Sequence, residues 1–561
     1  MLLKAIIRDE AGKPVPCRVG VYAPSSDEPV EEACCLGEHL FAVPNGEYRV
    51  EARRGKLYRP AACTVQPGEG SALAQLTLER IVNPVELGLY CFDAHSHVSR
   101  DDGSTNGSLG AAALIMKSEE FHFFFVGSPY DADVHFEYLQ RDFSDQRPYR
   151  ERYARLLQDV REPDFLLDIG NELVKGRYGH IFLMNYEQRP PFSRHYDEAF
   201  DRWIWDKSGS EPAYDIAYPY EAVRQERGEN SVAVAAHPTS WWWHDDRKFI
   251  TNLAATIGFD ALAGCIDAMV VMGYQSDRPS YQALWYDLLD NGYFLPGIAE
   301  TDTVFDRLPA KFLRYKTYAW LEEFSIDALC HAVRAGRCIA TSGPLIRLEV
   351  DGQLPGSVLP FAPGQCFEIE VQGTACCDGP LSCVQIIVNG RVAAEYTVQG
   401  ERCAVRHALT VDANSYVLAK CYDTAGNLAI VNPVYIRNEP FVNQGYRASV
   451  RVDATANGQP AVGSYWLDDG PRQPFQGGFQ LAMPPAATLH VLAAGQQKAV
   501  KLFELPELQA IFANLYTGGF LGSGAYSPGE APVEAFQIRR IRELLDDVRV
   551  TVEFNDSEES S

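Results

Sequence analysis

The stretch Tyr90-Cys91-Phe92-Asp93-Ala94-His95-Ser96-His97 constrains this chain more than any other. Its apolar lead-in reads as a buried strand, on which successive side chains alternate between faces. Asp93, His95 and His97 therefore project one way, and Ala94 and Ser96 the other. Two imidazoles side by side at a strand end can reach one metal ion at about 2.0–2.1 Å. Asp93 could join them or orient His95 from behind. A solvated polar strand end is the alternative, and later stretches weigh against it.

Those stretches lie in a region of alternating apolar runs and amphipathic segments, from about residue 86 to 345. The candidate strands are Gly88–His95, His122–Gly127, Phe165–Gly170, His180–Asn185, Ser231–Ala236, Ala268–Gly273 and Phe294–Ala299. Helical patterns fall between them at Leu109–Glu120, Tyr149–Val160, Tyr196–Lys207, Tyr218–Arg227 and Tyr281–Asn291. This alternation is the signature of β/α units around a parallel sheet, and it predicts an α/β barrel. Polar residues gather at the strand ends: His95 and His97, Tyr130 and Asp131, Glu172, His237, Tyr274 and Asp302. Active sites of such barrels lie on that face. His180 departs from the pattern because it starts its strand; a loop from Glu172 could return it to the mouth, or leave it in solvent.

Histidines with carboxylates and no thiolate suit zinc, manganese, iron or cobalt in hydrolysis rather than a structural site. A carboxylate such as Glu172 could bridge two ions about 3.5–4 Å apart. Proton donors to a leaving group could be Tyr130, Asp131, Tyr274 or Glu300, the last equally a buried structural carboxylate. Arg100, Lys175 and Arg177 read either as a positive mouth for an anionic substrate or as solvated loop cations. Trp241 opens a run of three tryptophans after His237-Pro238, either an aromatic wall or packing for the next helix.

The flanks are β-rich. Residues 1–85 read as a small sandwich, 346–438 as a second, and 439–561 as a third β-rich domain with one helix, Pro532–Asp547, and an acidic tail. The first is expected to be structural or an adaptor, and the last two to pack on the barrel, cap it or mediate homo-oligomerisation. With 561 residues, about three or four domains are expected in any case. The net charge of −25 disfavours nucleic acid and anionic membrane as partners and leaves a small-molecule substrate open. No apolar run of about 18 residues occurs, the first ten residues read as a strand rather than a leader, and the 14 cysteines show no CxxC. A cytoplasmic location is the expectation. Gly-x-Ser-x-Gly, P-loop and dinucleotide-binding glycine motifs are absent, so neither a serine hydrolase nor a nucleotide cofactor is expected.

Asp93-Ala94-His95-Ser96-His97 resembles the opening motif of the polymerase and histidinol phosphatase (PHP) superfamily. The succession Gly170-Asn171-Glu172, Gly179-His180, His237-Pro238, Thr301-Asp302 and Gly336-Arg337-Cys338-Ile339-Ala340-Thr341-Ser342-Gly343-Pro344 is similar to its carbaryl-hydrolase-like branch. Gly12-Lys13-Pro14-Val15-Pro16-Cys17-Arg18-Val19, followed by Val43-Pro44-Asn45-Gly46-Glu47-Tyr48-Arg49-Val50-Glu51-Ala52, likewise resembles the regulatory-like sandwiches appended to carboxypeptidases. The PHP resemblance implies a distorted (β/α)7 barrel and metal-dependent hydrolysis of a phosphoester, carboxylester or carbamate. It implies one ion on His95, His97, Glu172 and Asp302, and a second on Glu172, His180 and His237, with Asp302 and Glu172 at the catalytic water. The third ion of some members lacks its ligands here: no histidine follows in 100–106, Gly127-Ser128-Pro129-Tyr130 replaces an Asp-His, and Val304 stands where a histidine is usual. One or two ions are therefore expected, and the alternative is an inactive barrel serving as a carbohydrate- or protein-binding scaffold.

Overall fold

In the computed structural model, residues 1–66, 70–97, 109–126, 157–174, 180–185, 230–238, 256–273, 279–304, 312–517 and 535–555 are described. Leu3, Ala5 and Ile7 are buried while Leu2 and Lys4 are exposed, the period-two pattern of a strand with one face on a core. That strand, Leu2–Asp9, pairs with Glu38–Ala42 and Ser71–Arg80. A second four-stranded sheet, centred on Pro16–Tyr22 and Tyr48–Arg53, faces it across a core of its own.

The central region is built on β1 (Leu89–His97), β2 (Phe123–Val126), β3 (Leu166–Ile169), β4 (Asn171–Val174), β5 (His180–Met184), β6 (Val232–Ala236), β7 (Ala268–Gly273), β8 (Gly297–Glu300), β9 (Thr303–Val304), β10 (Lys316–Trp320) and β11 (Cys338–Thr341). β3, β2, β1 and β9 run parallel, and β10 and β11 join antiparallel. A second sheet runs β4-β5-β6-β7-β8. Gly170 links the two. Its N–H donates to Val126 O at 2.9 Å, and a Cβ there would lie 2.3 Å from the Phe182 ring, so no other residue fits.

The directions are mixed, which corrects the expectation of an all-parallel sheet. β4 and β5 are antiparallel, as are β5 and β6. Only five residues join β4 to β5, too few for the crossover that parallel neighbours need. The described residues are correspondingly richer in strand than an α/β reading anticipates. Of the expected helices, Leu109–Ser118 and Pro279–Asp290 are present, whereas 196–207 and 218–227 lie outside the described residues.

The sheet does not stop where a domain boundary is expected at residue 345. β11 pairs antiparallel with Leu428–Val431, which continues through Ser415–Asp423 and Leu381–Val388 to Arg391–Gly400. Leu345–Val350, Gln365–Thr374 and Arg402–Val411 form a separate three-stranded sheet. Beyond residue 447 comes an eight-stranded sheet with the helix Ala535–Asp546. Ile538 and Ile541 of that helix pack over Gly258, placing the C-terminal region against the outside of the central one. Among the described residues, no helix is long and apolar enough to cross a membrane.

Candidate metal centre

Phe92 and Ala94 lie in the core, and Ser96 donates to Phe125 O at 2.8 Å. The pairing of β1 with β2 shifts register between Phe124 and Val126, so the expected strict alternation does not carry through to His95; its ring turns toward Phe182, which shares the core of Phe92 and Ala94. His95 is fully buried, its ring 4.7 Å from that of Phe182 and 5.5 Å from that of His237.

His237 follows the all-buried strand β6, and Asp302 follows β8. Their φ values are 24° and 47°. Left-handed backbone at residues other than glycine costs about 1–3 kcal/mol each and concentrates at functional sites. The two bends bring the side chains together. Asp302 Oδ1 lies 3.4 Å from His95 Nε2, and Asp302 Oδ2 lies 3.7 Å from His237 Nε2. Asp302 N also donates to His95 O at 2.9 Å, which locks the bend to β1.

Glu300 occupies the other side of His95. Its Oε2 is 2.8 Å from His95 Nδ1, and its Oε1 accepts the backbone N–H of His237 at 2.8 Å. A carboxylate against Nδ1 fixes the proton there and leaves the Nε2 lone pair facing Asp302. Nδ1 is thereby committed to Glu300 and cannot also bind an ion. His95, His237 and Glu300 do offer ligand atoms within 4.8 Å of one another. Because both Glu300 oxygens are engaged in holding the histidines, Asp302 is the better carboxylate ligand and Glu300 the orienting one. The sequence left Glu300 open between a proton donor and a buried structural carboxylate; here it is fully buried against His95.

Asp93 does not orient the His95 ring. It accepts from the backbone N–H of His95 at 3.2 Å and from both the N–H and the hydroxyl of Thr301, tying β1 to the end of β8. Burial pushes its carboxyl up to about 7, against the lowering effect of those hydrogen bonds.

The donor set fits a divalent ion. Each imidazole Nε2 faces one oxygen of Asp302, at 3.4 and 3.7 Å, and imidazoles with a carboxylate are a donor set that such an ion takes. Glu300 and Asp302 bring two carboxyl groups to two imidazoles, and among the described residues no lysine or arginine pairs with Glu300. A buried cluster of that charge favours a cation.

Three further candidates are placed through their backbone. His97 ends β1 beside Val304, and Glu172 pairs with Phe182 across the β4–β5 hairpin. His180 is the first residue of β5, in register with Ala236. Because β5 runs against β6, the start of β5 lies at the same sheet end as His237, so its exceptional position in the sequence follows from a reversed strand. Arg100, Tyr130, Asp131, Lys175, Arg177, Trp241 and Tyr274 lie outside the described residues. Sequence reasoning gave no role to Thr301, Phe182 or Gly273. Thr301 stands between two carboxylates in Glu300-Thr301-Asp302, a signal that could have singled it out; nothing local marks Phe182. Gly273 has φ 134°, and a Cβ on it would lie 2.1 Å from Glu300 O.

No family model matches the chain, and no curated protein matches it. Among solved structures, the CARDB domain of a Pyrococcus furiosus protein is 15% identical over 17% of this chain and 97% of its own, with a TM-score of 0.13. BcpA, the major pilin subunit of Bacillus cereus, is 9% identical over 39% and 72%, with a TM-score of 0.13. Bacteroides uniformis beta-glucuronidase 3 is 10% identical over 89% and 76%, with a TM-score of 0.18. Likenesses this weak carry neither fold nor activity over to this chain.

Proposed function

We propose that the chain is a metal-dependent hydrolase of the PHP type, acting on an ester-type bond of a small molecule. The observation that carries the reading is the pair of buried imidazoles presented to Asp302, with Glu300 fixing one ring and the backbone of the other. The β-strand path supports a distorted barrel: counting β3 and β4 as one strand bent at Gly170, seven strands run from β1 round to β8, and Asp302 N closes back onto His95 O.

His95, His237 and Asp302 would hold one ion, and His97, Glu172 and His180 are the donors left to complete it or to hold a neighbour. A divalent ion there would supply an activated water and polarise the oxygen of the scissile bond. The chain's own groups do the rest. Glu300 keeps the proton of His95 on Nδ1, so that ring acts as a neutral donor and not as an acid. The Asp302 side chain is 10% exposed, against 0% for His95 and 1% for His237. It is thus the group of this trio that meets solvent, and the one able to orient the attacking water and take its proton.

The test is a screen of phosphoesters, carboxylesters and carbamates with Zn²⁺, Mn²⁺, Co²⁺ and Fe²⁺. Metal-dependent turnover of one class is expected, abolished by Asp302→Ala. No turnover with any metal would contradict the reading and favour a binding scaffold.

A further inference from the structure

β8 carries Glu300 at its end, yet among the described residues it has a ladder partner on one side only, β7. Its other edge faces β10 and β11, and there side chains take the place of a strand. The backbone groups pointing that way belong to alternate residues: Gly297, Ala299 and Thr301. Thr317 of β10 serves the middle one, its Oγ accepting from Ala299 N at 2.7 Å and donating to Ala299 O at 2.8 Å. Asp93 of β1 accepts from Thr301 N at 3.1 Å. Asn432 serves the first: its Oδ1 accepts from Gly297 N at 2.7 Å and its Nδ2 donates to Gly297 O at 2.8 Å.

Asn432 belongs to the β-sandwich, between its strands Leu428–Val431 and Val434–Ile436. It is 1% exposed. Its backbone N–H and its Nδ2 both donate to Cys338 O of β11, at 3.1 and 3.0 Å. One planar amide therefore satisfies both backbone groups of Gly297 while anchored to β11. A primary amide is the side chain that can mimic a peptide group in this way, accepting and donating in one plane.

We propose that Asn432 is a positioning residue for the metal centre, acting through β8 on Glu300, so that the sandwich holds part of the site in register. The inference rests on the metal reading above. Without the amide, Gly297 would bury an unpaired N–H and C=O, a state proteins avoid by shifting the backbone. β8 would then move, and Glu300 could not keep both His95 Nδ1 and His237 N at 2.8 Å.

The experiment is Zn²⁺ affinity of the full chain, by competition with a chromophoric chelator, for wild type, Asn432→Ala and Asn432→Asp. Loss of an outer-shell partner typically costs 10–100-fold in metal affinity, so at least about a tenfold loss is expected in Asn432→Ala. Asn432→Asp keeps the acceptor for Gly297 N and should fall between. Linkage is reciprocal: Zn²⁺ must also slow hydrogen exchange at the Gly297 and Ala299 amides of wild type, which decides the matter should both variants fail to fold. Unchanged affinity in a folded Asn432→Ala, or exchange indifferent to Zn²⁺, overturns the role of Asn432 alone. A wild type that binds no Zn²⁺ overturns the metal centre, and this inference with it.

Discussion

Glu300 holds His95 from behind: the two side chains are fully buried and Oε2 of one lies 2.8 Å from Nδ1 of the other. The same carboxylate reaches the backbone of His237, so a single residue sets the geometry of both histidines. Glu300→Gln can accept one of those hydrogen bonds through its amide oxygen but must turn an NH₂ toward the other donor. A 10–100-fold loss of metal affinity is expected, with the fold retained by circular dichroism. An unchanged dissociation constant would remove Glu300 from the centre.

Asp302 pays for its place with a left-handed backbone, φ 47°. Asp302→Gly relaxes that strain, worth about 1 kcal/mol at such positions, while removing the carboxylate between the imidazoles. The expected outcome is a protein that no longer retains metal yet melts at the same temperature or higher. A lower melting temperature in the metal-free state would show that Asp302 serves the fold instead.

Gly273 touches Glu300 from the neighbouring strand. A Cβ would sit 2.1 Å from Glu300 O, and its φ of 134° is one that side chains rarely adopt. Gly273→Ala should destabilise by about 2–4 kcal/mol, the range of changes that force a buried backbone to shift, and should weaken metal binding as well. Denaturant midpoints and metal affinity read the two effects; wild-type values for both would refute the packing at this seam.

His122 supplies a pH dependence. Its Nδ1 accepts the N–H of Cys91 at 3.0 Å, on the strand that carries His95. Burial holds its pKa down at about 3, and Arg54, Arg80 and Lys316 push the same way. A folded pKa below the unfolded one means that the unfolded chain binds more protons between about pH 6.5 and 3. The stability from neutral His122 is therefore complete above pH 6.5 and is lost as pH falls toward 3. Against His122→Gln, which accepts without titrating, wild type should lose stability more steeply by up to about 1.4 kcal/mol per pH unit. Equal slopes in urea unfolding from pH 6.5 to 4 would contradict this.

Much of this site was readable from local pattern. The apolar run before Asp93 implied a strand, and β1 is one; the alternation expected along it is broken before Ser96 by the register shift against β2, which no local pattern announced. His237 and Asp302 could be picked out because each follows a short apolar run, and they do meet His95. Glu300 was visible but its role was not, since the contact with His95 spans 205 positions and depends on how β8 lies against β1. Strand direction was also hidden: periodicity is the same for parallel and antiparallel strands, and it is the antiparallel register of β4, β5 and β6 that shows His180 to start a reversed strand. Continuity of the sheet beyond Thr341 could not be inferred either, because edge pairing leaves no mark on the residues that make it.

The central claim is that His95, His237 and Asp302 hold a divalent metal. Its most direct measurement is the metal content of the full-length protein after loading with Zn²⁺ or Mn²⁺ and desalting, beside His95→Ala and His237→Ala. At least about one equivalent in wild type and its loss in both folded variants is the expected result. Wild type without bound metal, or variants that retain it in full, would contradict the account.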